Sequence, residues 1–161
     1  MLKKQLINYN LYLKIILIFL VLLRPTLADI IKPSINIEPK EVVKIQLSAL
    51  MKNDFPNIDS GIIQTWEFAH PNNQKVTGPI EKFKNMLKND SYSMLLNHSN
   101  HEVLEVYKSN KVATFEVTVL DKEKKYYKFK WQVEKYTSEG SLKGCWLTTA
   151  VSQPVPLGSS V

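Results

Sequence analysis

Arginine is almost missing from this chain: of 161 residues and 21 basic side chains, Arg24 is the only one. The residues after it therefore lack the guanidinium fork that grips phosphate or guanine with two hydrogen bonds. Cysteine is as scarce. Cys145 stands alone, which excludes an intramolecular disulfide and leaves stability to an apolar core. It lies beside Trp146 in an apolar run, where a thiol behaves as a small buried hydrophobe. The five glycines form no phosphate-cradling loop, and no nucleophile elbow is present, so phosphate-loop and Ser-His-Asp chemistry find no support. No internal repeat or low-complexity tract is visible.

Only one long apolar run exists, at positions 15–23. Lys3, Lys4 and Lys14 precede it, and Thr26-Leu27-Ala28 follow before Asp29. A basic start, a short apolar centre and a small residue at the end predict a secretory signal peptide over residues 1–28. Retention of the same segment as a membrane anchor is the alternative, although a spanning helix needs about 20 apolar residues. The leader also explains the charge. It holds four of the 21 basic residues and no acid, leaving 17 against 15 acids, a net +2 from position 29 onward. A formal +6 overall is thus mostly an export feature, and nucleic acid is not an expected partner.

Residues 29–38, with Pro33, read as an extended N-terminus, and 39–151 as a single α+β domain. Pro39 suits the first turn of a helix. Val43, Leu47, Leu50 and Met51 then fall on one helical face. Asn53-Asp54-Phe55-Pro56 ends that helix, and Asn57 is placed to cap a second one carrying Ile58, Ile62, Trp66 and Ala69. Pro71 closes the second helix by pushing His70 out of helical geometry. Thr77-Gly78-Pro79 opens a third, with Ile80, Phe83, Met86 and Leu87 recurring on one side.

After Asn97 the period changes to two. Strands are predicted over 103–107, 113–119, 127–133 and 144–151, with polar turns between them. Ala113, Phe115, Val117 and Val119 alternate with polar residues, as do Tyr127, Phe129, Trp131 and Val133. Such one-sided strands predict a four-stranded antiparallel sheet curled around three helices, dry on one face and wet on the other. Residues 152–161 read as a disordered tail.

The spacing Asn53-Asp54-x-Pro56-x-x-Asp59-x-Gly61-Ile62, then Trp66-x-Phe68-Ala69-x-Pro71-x-Asn73, then Thr77-Gly78-Pro79-x-x-x-Phe83-x-x-Met86 resembles domain-of-unknown-function family 4864, which is uncharacterised. The likeness runs from about Lys40 to Val151. It implies a shape similar to the cone of nuclear-transport-factor-2-like, cystatin-like proteins, with helices on the concave face of a curved sheet. His70 stands where the family commonly has a small hydroxyl residue. The cone also houses isomerases and dehydratases, but a fold carries no activity by itself.

An isomerase-type pocket needs a carboxylate base facing a proton donor across an apolar cavity. His70, Asp54 and Tyr92 are the catalytic candidates, with Glu67 and Tyr127 behind them. Asp54 and Asp59 have a plain reading as turn carboxylates that accept backbone hydrogen bonds. The residues expected to line an interior pocket are Trp66, Phe68, Met86, Tyr92, Phe115, Tyr127, Phe129 and Trp131. His98, His101 and Glu102 raise a metal site but lack a third firm ligand, so no metal and no cofactor is expected. Lys124, Tyr126, Lys128 and Lys130 fall together on the wet face of the sheet. Asn89-Asp90-Ser91 and Asn97-His98-Ser99 match the glycosylation pattern.

The sequence therefore predicts an exported, non-catalytic binding or assembly module that engages a protein partner or a small apolar molecule. The alternative is a small pocket enzyme of isomerase or dehydratase type. Periplasm, thylakoid lumen or the secretory pathway are the expected locations, and membrane contact is expected only if the leader is retained.

Overall fold

Residues 29–159 are described by a computed structural model; the leader and the membrane-anchor alternative lie outside them. The described residues build four α-helices, α1 (Pro39–Met51), α2 (Ser60–Glu67), α3 (Pro71–Thr77) and α4 (Ile80–Lys88), then a 3₁₀ turn at Ser93–Leu95. Five strands follow: β1 (Asn100–Lys108), β2 (Val112–Leu120), β3 (Lys125–Lys135), β4 (Trp146–Val151) and β5 (Val155–Ser159). No helix among the described residues is long and apolar enough to cross a membrane.

The strands pair antiparallel in the order β1-β2-β3-β4, as alternation predicts. Val103 faces Val117 and Phe129 faces Val117 across the sheet, so one face is continuously apolar. Against that face α1 buries Val42, Val43, Leu47 and Leu50, each 0% exposed, and α2 adds Ile62. Trp131, Phe115 and Phe129 fill the layer between helices and sheet.

The expected cone is not formed. The sheet is open, its first and last strands do not meet, and it is not strongly curved. Alternation reports which face is dry but not how far a sheet coils, which depends on twist and bulges along each strand pair. Among the described residues there are also four helices rather than three. Pro71, read from sequence as a stop, is equally a start: it takes the first position of α3 with His70 as the capping residue. Nor does the second helix begin at Asn57; Asp59, at φ 65°, precedes it.

The tail read as disordered contains β5. It pairs with β3 at Lys125–Lys128, while β4 pairs with β3 at Trp131–Lys135, so two short strands share one side of β3. The outer side of β4 is itself partly covered. Thr148 N–H donates to the Phe68 carbonyl and His70 N–H to the Thr148 carbonyl, both at 2.8 Å, making a parallel bridge at Ala69.

Candidate functional site

The connection between α1 and α2 is organised by one carboxylate. Asp54 Oδ1 accepts from Asn53 Nδ2 at 2.8 Å and from the Asp59 N–H at 3.1 Å. Its Oδ2 accepts from Asn97 Nδ2 at 2.8 Å, and Asn97 Oδ1 in turn accepts the Asn53 N–H. Asn53 Oδ1 takes the Ile62 N–H, one of the orphan donors in the first turn of α2. Asp59 binds Lys88 at 2.8 Å through Oδ2, while its Oδ1 is buried without a hydrogen-bond partner. These bonds hold Asp59 and Asn97 in left-handed backbone geometry. They also keep the Asp54 carboxyl ionised below its ordinary range, the Asn97 amide contributing most.

Within this pinned loop, Phe55 and Ile58 point outward, 74% and 77% exposed. They border an open groove of about 1090 Å³ between α1, the loop, the Ile30–Ile31 segment and the start of β1. Ile45, Ala49 and Ile63 supply further apolar lining.

His101 lies on the β1 side of the groove, joined to a second histidine. His98 Nδ1 lies 2.7 Å from the Leu95 carbonyl, which can only accept, so that nitrogen carries the proton. Burial holds the His98 pKa down to about 4, so near neutrality its Nε2 is an acceptor for His101 Nδ1–H, 2.8 Å away. His101 Nε2 is left as the free nitrogen of the pair, and burial depresses its pKa as well. Three of the four ring nitrogens are thus spent within the pair and on the backbone. Among the described residues no group of three metal-ligating side chains occurs.

A second, interior cavity of about 100 Å³ lies between helices and sheet. Of the eight residues that the sequence reading placed at an interior pocket, Met86, Tyr92 and Trp131 line it, together with Gln46, Phe83 and Thr148. Phe68, Phe115 and Phe129 are instead sealed in the core, Trp66 packs on Phe83 with ring centres 5.0 Å apart, and Tyr127 packs at the core margin. The polar groups at the cavity satisfy one another. Gln46 Oε1 accepts from Thr148 Oγ1 at 2.6 Å and from Trp131 Nε1 at 3.2 Å, while Gln46 Nε2 donates to the Thr65 carbonyl. No carboxylate and no imidazole lines it.

The three catalytic candidates do not converge. Asp54 is the exposed loop hub. His70 Nδ1 accepts the Asn72 N–H at 3.1 Å, capping α3, and its ring packs on Tyr136. A capping acceptor is what a small hydroxyl residue supplies at such a position. Tyr92 alone reaches the cavity, its hydroxyl donating to the Val151 carbonyl at 3.5 Å, with burial raising its pKa. Cys145 is 2% exposed, and burial raises its thiol pKa. On the wet face, Lys128 is paired with Glu116 at 2.9 Å.

The sequence reading missed the groove. Its signal was Phe55, a large aromatic set between Asp54 and Pro56 in a turn, where no buried face exists for it.

A family model described as Domain of unknown function (DUF4864) matches residues 34–154. The chain belongs to that family. The matched segment spans α1 to β4, including the Asp54 network and most of the groove; β5 lies beyond it. No match was found among curated proteins or among solved structures.

Proposed function

We propose that this DUF4864 domain is an exported, non-catalytic module that binds a protein partner through the groove beside α1. One observation carries the reading: Phe55 and Ile58 stand in solvent on a loop fixed by an internal hydrogen-bond network. Covering two such side chains contributes on the order of 3–5 kcal/mol. Because the loop is already ordered, little of that is lost to immobilising it on binding. Large apolar anchors on a rigid support are the usual centre of an interface.

The interior cavity supports this choice by its size and chemistry. Drug-sized ligands occupy roughly 300–1,000 Å³, and this cavity is about 100 Å³ with its polar groups already paired. Isomerase-type chemistry has no base there. Export rests on the leader pattern of residues 1–28.

Native mass spectrometry of protein purified from its source compartment tests the proposal. The expected species has a mass beginning near Asp29 and carries a second polypeptide that Phe55→Ser/Ile58→Ser removes. A bare wild-type monomer, or a complex indifferent to those substitutions, would refute the groove. An intact leader would refute export.

A further inference from the structure

The outward face of α1 forms one wall of the groove, and it is basic. Lys40 and Lys44, four apart on one helical face, line it with Glu41 between them, and Lys52 follows at the C-cap, so three lysines stand against one glutamate, a net +2. Among the described residues neither Lys40 nor Lys52 forms an ion pair, and the contact of Lys44 with Glu41 is a long 3.8 Å between half-exposed groups. Lys40 moreover occupies the first turn of α1, where the helix dipole disfavours a cation. The other two acids bordering the groove, Asp29 and Glu102, lie off α1, Glu102 on the β1 side. The basic excess is therefore confined to the α1 wall, with the apolar side chains beside it.

From this arrangement we infer that the groove takes an acidic amphipathic helix of a partner protein, lying along α1. Its apolar side chains enter between Phe55, Ile58 and Ile45. Carboxylates one turn apart along its flank meet the lysine row, since residues four apart recur on one side of a helix. A helix laid in an apolar groove is an established recognition mode, and α1, with 13 residues, offers a wall about 20 Å long. The inference rests on the binding proposed above and adds the partner's charge and shape.

Fluorescence anisotropy of the purified full chain with two labelled peptides tests it. Both peptides are amphipathic helices about 18 residues long with a leucine face. One carries Glu at every fourth flank position, the other Lys. The Glu peptide is expected to bind at least about tenfold more tightly at low salt, the preference shrinking as salt rises. Lys40→Glu/Lys44→Glu/Lys52→Glu, all exposed sites, should reverse the preference, and Phe55→Ser should weaken both peptides. Equal binding of both peptides, still lost with Phe55→Ser, would overturn the acidic partner and leave the groove intact. Binding that ignores Phe55→Ser would overturn both. Failure of either peptide to bind, or cosedimentation with anionic lipid vesicles instead, would overturn the helix assignment.

Discussion

Single residues carry unequal shares of this structure, and the polar ones are the most informative. Asp54 accepts three hydrogen bonds from three separate parts of the chain, Asn53, Asp59 and Asn97. Asp54→Ala should lower stability by about 1–2 kcal/mol, since hydrogen bonds to charged groups sit at the upper end of the usual range and this one is exposed. Urea denaturation gives the loss, and hydrogen exchange should show the 53–59 loop losing protection first. His98 makes a second prediction, in pH. Its folded pKa of about 4 lies below the ordinary 6.5, so the unfolded chain takes up the proton first. The stabilisation is complete above pH 6.5 and is lost as pH falls toward 4, by on the order of 3 kcal/mol for a ring 2% exposed. Denaturation midpoints measured between pH 7.5 and 4.5 should fall accordingly, and His98→Asn should flatten the profile.

Among the elements, the crossing of α1 and α2 is the tightest. A Cβ at Gly61 would press into the Ala49 carbonyl and lie 2.8 Å from Asn53 Cα, all of it backbone. Gly61→Ala should therefore cost more than about 3 kcal/mol, despite alanine's better helix propensity. A thermal melt or urea titration decides it, and an unchanged midpoint would refute the close crossing. β5 lies at the other extreme, with every residue exposed. Truncation before Pro154 should cost less than about 1 kcal/mol while raising hydrogen exchange at residues 125–128, whose partners it removes. These two elements also mark what could be read beforehand. The strands announced themselves because a half-buried sheet imposes alternation, and α1 because Pro39 and its apolar face agree. α3 did not, since His70-Pro71 ends one helix and begins the next with the same two residues. β5 did not either: Val155-Pro156-Leu157-Gly158 has the composition of a tail, and only the free side of β3 makes it a strand.

At the scale of the whole molecule, dry and wet faces were legible while shape was not. Which strand residues face the helices follows from a period of two, whereas an open sheet and a cone share that period. The site was legible only in part. Met86, Tyr92 and Trp131 meet at the interior cavity, but its small volume arises from how closely the helices settle on the sheet, which no local pattern records. The groove depends on residues far apart in sequence, Ile30, Phe55 and His101 among them, and no spacing rule joins these. The two margins of the sheet differ as well. β1 leaves its outer backbone open, whereas β4 is bridged by Ala69 and β5 is short and carries Pro156. Fibre growth by strand addition needs two competent edges on every copy. Among the described residues β1 alone offers a long open edge, so stacking through it is expected to end at a closed pair rather than extend into a filament.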